Sequence, residues 1–294
     1  MPAVKEFTTP NKPTWCPGCG NFGMWEALKR ALAELGWEKN EFSVIWGIGC
    51  HGNGADFLDV QGMHALHGRS LPPATALRLT RPDLQVVVEM GDGDGYGLGM
   101  GHFIHTLRRN PRMTVIVHNN QIYGLTAGQA SPTTDHLMRT VSTPDGVLEE
   151  PVNPIGLAIA ENATFVARGF AGDIAHLTEL YKEALTHPGL ALVDVYQPCV
   201  TWNHLNTFQW FRERVYKLES PEWDATDRAT AFELSMTSFH EMLCTPETCR
   251  VPIGVFYRRE GVATYEDGVP AAQEPGYVRA EQPRDISAIV ESLG

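Results

Sequence analysis

Short apolar runs alternate along the first two thirds of the chain with longer segments in which apolar residues recur every three or four positions. The short runs are typical of buried strands, and the longer spacing is typical of amphipathic helices. Strands are predicted near 42–48, 86–90, 113–118, 164–168 and 190–196, and helices near 22–35, 73–79, 99–108, 154–161 and 173–187. This alternation predicts an α/β fold, a doubly wound parallel sheet with helices on both faces.

Two regions lack this regularity. Residues 123–153 are rich in Gly, Thr, Ser and Pro without a sustained period, which predicts a long loop, and such loops are often functional. After about residue 200 the alternation fades and prolines recur. The sequence therefore predicts an N-terminal cysteine-bearing segment (1–20), an α/β domain (21–215) and an irregular C-terminal arm (216–294) that wraps a partner.

Composition narrows the function classes. The 294 residues carry a net charge of -12 without a basic tract, which argues against nucleic-acid binding because phosphate neutralisation needs clustered Lys and Arg. No apolar run reaches the ~20 residues of a membrane helix. The first residues lack the basic start and apolar stretch of a signal peptide, so a cytoplasmic protein is expected.

Polar motifs follow two of the predicted strands. Gly91-Asp92-Gly93 comes after the run near residue 86, and Asn119-Asn120 comes after the run near residue 113. Because parallel strands end at one edge of the sheet, Asp92 and Asn120 are expected to lie close together. Their oxygens suit Mg²⁺ completed by phosphate oxygens, and the glycines allow close approach of a diphosphate. This spacing resembles that of thiamine diphosphate enzymes.

Four of the six cysteines are also placed by the strand-end rule. Cys50 and Cys199 follow predicted strands, and Cys16 and Cys19 form a CxxC pair in a loop that can fold over the same edge. Four thiolates bind either Zn²⁺ or an iron–sulfur cluster. Cys244 and Cys249 have no second motif around them and are interpreted as buried apolar residues.

Together these residues resemble the β subunit of the 2-oxoacid:ferredoxin oxidoreductases over roughly residues 12–215. The resemblance rests on residues 15–23 (WCPGCGNFG), 47–50 (GIGC), 67–69 (HGR), 91–94 (GDGD), 119–120 (NN), 123–126 (YGLT) and 131–134 (SPTT). Three features depart from the family pattern: the residues after Cys50, which are His51-Gly52-Asn53, and alanines at Ala76 and Ala127 where glycine is usual.

The resemblance implies three cofactors. It assigns a [4Fe-4S] cluster to Cys16, Cys19, Cys50 and Cys199. It assigns Mg²⁺ to Asp92, to the side chain of Asn120 and to the backbone carbonyl of Ile122. It implies that thiamine diphosphate contacts the residues Ile48, Gly49, Cys50, His51, His67, Gly91, Gly93, Asp94, Gly124, Leu125 and Thr126.

The implied activity is CoA-dependent oxidative decarboxylation of a 2-oxoacid, or the reverse carboxylation, with electrons passed through the cluster to ferredoxin. The opening CPGCGNFG resembles the 2-oxoglutarate branch of the family more than the pyruvate branch, which implies 2-oxoglutarate as substrate, with pyruvate or a branched-chain 2-oxoacid as the alternative. His51, Asn53 and Leu125 are the candidate catalytic residues, with His51 and Asn53 as hydrogen-bond donors to a distal carboxylate.

One diphosphate-binding domain implies that the pyrimidine-binding half and its catalytic Glu belong to a partner α subunit, in an (αβ)2 heterotetramer. Two other interpretations stay open at this point. The first is a non-redox thiamine diphosphate decarboxylase or carboligase with a zinc site, and the second is a non-catalytic assembly subunit.

Overall fold

The structure is a computed structural model that describes residues 2–236, 250–280 and 287–292. Its strands are β1 (Phe42–Trp46), β2 (Gln61–His64), β3 (Gln85–Gly91), β4 (Met113–Asn119), β5 (Phe165–Phe170), β6 (Leu190–Tyr196), β7 (Val215–Lys217) and β8 (Val251–Arg258). Its helices are α1 (Asn21–Leu35), α2 (Leu71–Thr80), α3 (Met100–Arg109), α4 (Pro154–Ala160), α5 (Ile174–Thr186), α6 (Phe208–Arg212), α7 (Arg228–Ser235), α8 (Gly276–Ala280) and α9 (Ser287–Ser292).

The described strands form one sheet in the order β2-β1-β3-β4-β6-β5-β8-β7. Neighbours from β2 to β5 are parallel, β8 runs antiparallel to β5, and β7 is parallel to β8. From β1 the chain passes to β2 on one side and then returns to β3 on the other side. Open α/β sheets form crevices for ligands at such a reversal, outside the carboxyl ends of the strands.

Helices cover both faces of the sheet. Successive side chains of a strand point to opposite faces, so each strand packs against both helical layers. Val87 of β3 packs with residues of α1 and α5, whereas its neighbours Val86 and Val88 pack with residues of α2, α3 and α4. Central strands β3, β4 and β6 are buried on both sides, as a doubly wound sheet requires.

The predicted fold class is confirmed, with two differences. β2 has no counterpart among the predicted strands, because all four of its residues are exposed and its sequence lacks an apolar pattern. The region after residue 216 is not irregular throughout, since β8 pairs with β5 and six of its eight residues are buried. Pro252 and Gly254 interrupt the strand signal in that segment.

No described helix has the length and apolarity needed to cross a membrane. Cys244 and Cys249, which were predicted to be buried, lie outside the described residues.

Candidate active site

Strands β1, β3, β4 and β6 end at one edge of the sheet, where a cavity of about 80 Å³ opens. We call it the strand-end cavity. Its lining includes every residue predicted to bind thiamine diphosphate or Mg²⁺, namely Ile48, Gly49, Cys50, His51, His67, Gly91, Asp92, Gly93, Asp94, Asn120, Ile122, Gly124, Leu125 and Thr126. His118, Tyr123 and Gln197 line it as well and were not predicted.

Asp92 directly follows β3, and its side chain is buried. Its Oδ2 accepts hydrogen bonds from Ser131 Oγ at 2.5 Å and from Thr133 Oγ1 at 2.7 Å. Burial raises the pKa of Asp92 to about 6, because these two hydroxyls offset only part of the desolvation of the carboxylate. A hard divalent cation would stabilise this buried charge, so the residue fits Mg²⁺.

The two asparagines at the end of β4 have different roles. Asn119 Nδ2 donates to the buried carboxylate of Asp194 on β6 at 3.1 Å. Asn120 lines the cavity, and its Oδ1 accepts the backbone N–H of Ile122 at 3.1 Å. Gln121 between them has φ +60°, a left-handed conformation that turns the chain so that Asn120 and Ile122 border the same space. This pair fits the predicted metal site.

Asp94 frames the cavity by joining three loops. Its Oδ1 accepts the backbone N–H of Ile48 at 3.2 Å and of Gly68 at 2.6 Å, and lies 2.7 Å from His67 Nδ1. Its Oδ2 occupies the place where a side chain at Gly47 would start, since a Cβ there would lie 1.8 Å away. Glycine at position 47 is therefore needed for this arrangement.

His51 lies beneath the cavity with its ring buried. The ring packs against that of His118, with centroids 5.3 Å apart, and His118 in turn contacts Glu89 and Asn21. Burial holds the pKa of His51 well below its usual range, and His118 acts in the same direction, so the ring is neutral at pH 7. Nε2 of His51 is buried and has no hydrogen-bond partner among the described residues, whereas Cε1 and Nδ1 lie on the side of Gly49 and Gly91, which line the cavity.

Four free cysteines line a second cavity of about 230 Å³, which we call the cysteine cavity. Cys16 is exposed, Cys19 and Cys199 are buried, and Cys50 is intermediate. Gly18, with φ +83°, forms the tight turn between the CxxC cysteines, and Cys19 N donates to Cys16 O at 2.9 Å. The predicted convergence of Cys16, Cys19, Cys50 and Cys199 is present in the structure.

Burial keeps two of these thiols in the neutral form, so they would become thiolates only on binding a positive group. Burial raises the pKa of Cys19 to about 12 and that of Cys50 to about 11, and the neighbouring cysteines raise both further. Within the described ranges, no three His, Cys, Asp or Glu side chains converge closely enough to hold a metal ion. Four thiols that line one cavity are the ligand set of either a Zn²⁺ ion or an iron–sulfur cluster.

The two cavities share one layer of residues, which we call the shared wall: Cys50, Asn120, Gly124, Leu125 and Gln197. Gly124 lies close to two of the thiols, since a Cβ there would lie 3.5 Å from Cys199 Sγ and 3.7 Å from Cys50 Sγ. Leu125 is 53% exposed at the mouth. Groups bound in the two cavities would be separated by this layer alone.

Asn53 is placed differently from its prediction. It lines the cysteine cavity and not the strand-end cavity, and its Nδ2 lies 3.4 Å from Thr14 Oγ1. The structure therefore does not bring Asn53 together with His51 around one ligand. His51 lines the strand-end cavity, and the short helical turn Cys50–Asp56 places Asn53 on the side of the cysteine cavity.

Sequence reasoning missed the roles of three residues. Ser131 and Thr133 belong to a quoted motif, but only the folded loop shows that their hydroxyls contact Asp92. Gln197 directly follows β6, so the strand-end rule that selected Cys199 could have selected it too.

Two families match the chain. Residues 47–195 match the family described as thiamine pyrophosphate enzyme, C-terminal TPP binding domain, and this supports thiamine diphosphate as a cofactor. Residues 199–274 match the family described as the C terminal of the pyruvate ferredoxin oxidoreductase beta subunit, and this range includes β7 and β8.

Curated relatives and a solved structure agree with these matches. The 2-oxoacid:ferredoxin oxidoreductase subunit beta of Sulfolobus sp is 45% identical over 92% of this chain and 89% of its own length. The 2-oxoglutarate oxidoreductase subunit KorB of Mycobacterium tuberculosis is 44% identical over 68% of this chain and 53% of its own length.

The solved structure is the 2-oxoglutarate:ferredoxin oxidoreductase from Magnetococcus marinus with 2-oxoglutarate, coenzyme A and succinyl-CoA bound. It superposes with a TM-score of 0.89 at 35% identity, covering 100% of this chain and 96% of that one. The predicted family and the prediction of an enzyme are confirmed: the chain belongs to the β subunits of the 2-oxoacid:ferredoxin oxidoreductases.

Proposed function

We propose that this β subunit oxidatively decarboxylates 2-oxoglutarate to succinyl-CoA and CO₂, or runs the reverse carboxylation, and passes electrons through a [4Fe-4S] cluster to ferredoxin. The observation that carries the proposal is the shared wall. A cavity bounded by four free cysteines adjoins the cavity of a thiamine diphosphate family, which is the arrangement that electron transfer between two bound groups requires.

Thiamine diphosphate, when bound, supplies the chemistry that releases CO₂ from a 2-oxoacid. The residues of this chain bind and orient it. Asp92, Asn120 and the carbonyl of Ile122 would hold Mg²⁺ at the diphosphate, with Ser131 and Thr133 fixing the carboxylate of Asp92. Gly124 and Leu125 form the side toward the cysteines, and Cys16, Cys19, Cys50 and Cys199 would hold the cluster.

The substrate assignment rests on relatives and on the position of His51 in the strand-end cavity. Relatives named as 2-oxoglutarate enzymes include the KorB protein of Mycobacterium tuberculosis and the Magnetococcus marinus enzyme. The neutral ring of His51 lines the strand-end cavity, and its N–H can donate to a substrate carboxylate. Because Asn53 lines the other cavity, further donors would come from the partner subunit.

The α subunit would cover the mouth of the strand-end cavity. Leu125 lines this cavity and is 53% exposed, and Leu66, which is 78% exposed, is next in sequence to the lining residue His67. We propose that these apolar side chains belong to a patch that the α subunit covers. We propose that the α subunit supplies the pyrimidine-binding half and the catalytic Glu, in an (αβ)2 assembly in the cytoplasm. The region 216–294 is proposed to contact that partner as well.

The test uses the complex of this chain with its α subunit, purified without oxygen. We expect brown protein with four iron and four sulfide ions per β subunit beyond any iron bound by α, with bound thiamine diphosphate, and 2-oxoglutarate-dependent reduction of ferredoxin. Cys50→Ser should lose the cluster and ferredoxin reduction. Colourless protein that holds zinc and still decarboxylates the acid would favour the non-redox alternative and contradict the proposal.

A further inference from the structure

Gln197 occupies the shared wall between the two cavities. It follows β6 directly and is 1% exposed. Its backbone N–H donates to Asn119 O at 2.9 Å, which extends the pairing of β6 with β4 by one residue and fixes the backbone. Its side chain is therefore held on a rigid element and not on a free loop.

The amide of Gln197 points its nitrogen at a cysteine sulfur. Nε2 lies 3.3 Å from Cys19 Sγ and 3.2 Å from the backbone carbonyl oxygen of Pro198. Both neighbours are acceptors, so the carbonyl of Pro198 sets the orientation of the amide and only the nitrogen can face them. Gly20 leaves the space for this side chain, since a Cβ there would lie 2.8 Å from Gln197 Cγ.

Cys19 is the thiol for which such a donor matters. It is 9% exposed, so water reaches its sulfur poorly, and it lines the cysteine cavity together with Cys16, Cys50 and Cys199. A thiolate at this position therefore depends on the few donors that reach it, and Gln197 is one of them.

On the basis of the proposed function, we propose that Gln197 is a positioning residue that tunes the iron–sulfur cluster: its Nε2–H donates to the Cys19 thiolate and raises the reduction potential. Reduction adds one electron to the cluster and its ligands, so a fixed donor stabilises the reduced form more than the oxidised form. Removing the donor makes the cluster harder to reduce and makes its electron a stronger reductant.

The experiment measures the midpoint potential of the β-subunit cluster in the complex with α, by redox titration followed by electron paramagnetic resonance. Gln197→Leu removes the donor at similar volume. Gln129→Leu is the matched control, because the Gln129 amide donates to a backbone carbonyl, Thr126 O, in the neighbouring loop. We expect a shift to more negative potential of up to about 59 mV in the first variant, a tenfold change in the one-electron equilibrium, and none in the control.

Gln197→Glu gives an independent measurement with the original shape. The introduced carboxyl donates a hydrogen bond only when it is protonated. The midpoint potential of the cluster in this variant should therefore fall more steeply with rising pH than that of the wild type. Equal midpoint potentials in the wild type and both Gln197 variants, all containing the cluster, would overturn the inference. Loss of iron from both variants would also overturn it, because Gln197 would then be needed for the structure of the site. A wild-type complex without a β-subunit cluster would instead overturn the proposed function.

Discussion

The indole Nε1 of Trp15 donates a hydrogen bond to the backbone carbonyl oxygen of Cys50 at 2.6 Å. The ring of Trp15 also packs edge-on against Phe22 and Phe57, with centroids 5.3 and 5.0 Å away. A segment with little regular structure is thus fixed to the loop after β1. Two of the four cysteines are brought to the other two by this contact.

We expect Trp15→Phe to destabilise the protein by about 1–2 kcal/mol, because an aromatic ring stays in place while a half-buried carbonyl oxygen loses its donor. The cysteine cavity should also lose iron faster. Trp25→Phe is the control, since Trp25 Nε1 has no hydrogen-bond partner among the described residues. Denaturant unfolding and the rate of iron release to a chelator measure both effects. Equal changes in the two variants would contradict the role of the bond.

Asp92→Asn should weaken binding of thiamine diphosphate with Mg²⁺ at least about tenfold, or about 1.4 kcal/mol, because it removes the charged ligand and keeps the shape. Asp83→Asn is the control, because Asp83 is exposed and pairs with Arg81. Titration calorimetry on the complex, with and without Mg²⁺, measures the difference. Unchanged affinity of the Asp92 variant would remove this residue from the metal site.

Ala127→Gly should stabilise the protein by about 0.5–1 kcal/mol. Ala127 has φ +75°, a conformation that costs an L-residue roughly 1–2 kcal/mol. Glycine removes this strain, but it loses more conformational entropy on folding, and this offsets part of the gain in stability. Ala76→Gly makes the same change inside α2, on an exposed face, and should destabilise by about 0.5–1 kcal/mol. Denaturation midpoints of the two variants should therefore move in opposite directions.

His187 predicts a pH dependence of stability. Burial lowers the pKa of His187 to about 4, and Arg258 acts in the same direction, whereas the unfolded chain has about 6.5. The folded state thus binds fewer protons between these values, so this contribution is complete above pH 6.5 and is lost as the pH falls toward 4.

We expect the loss to be about 2 kcal/mol, after allowance for solvent screening near the surface. His187→Gln can still donate a hydrogen bond to Thr164 Oγ1, and its free energy of unfolding should not show this loss at low pH. Free energies of unfolding at pH 8 and pH 5 test this. Parallel curves for the wild type and the variant would refute the assignment.

His51→Ala should lower kcat/KM for 2-oxoglutarate about tenfold more than for pyruvate, because a lost donor leaves the distal carboxylate unpaired. His105→Ala, an exposed change on α3, is the control. Steady-state assays of the αβ complex on both acids give the ratio. Equal losses would exclude His51 from substrate selection, and a wild-type preference for pyruvate would overturn the proposed substrate.

The parts of the site that could be predicted from the sequence are the residues at the ends of the central strands. Central strands of a parallel sheet are continuous apolar runs, so β3 and β4 are recognisable, and Asp92 and Asn120 are placed by their ends. β2 and β8 were missed for a physical reason. β2 is short and exposed, and β8 contains Pro252 and Gly254 and is stabilised by pairing with a strand some ninety residues away.

Side-chain partners within the site could not be predicted in the same way. Gln197 and Cys19 are 178 positions apart, and no spacing rule connects an amide to a sulfur. Asn119 and Asn120 are identical in type, and their roles differ only because Asp194 is buried beneath the first of them. Such distinctions depend on which way a side chain turns at the end of a strand.

The shared wall also limits how such an enzyme can change. Gly124 and Leu125 face both cavities, so a substitution that reshapes the space for a different acid also alters the surroundings of Cys50 and Cys199. Under the proposed function, the range of substrates and the energy of the released electron would therefore not be separate traits in this protein. Directed evolution toward a new acid should select compensating changes among the neighbours of the cysteines, and those changes would accumulate on the side of the wall that the acid never touches.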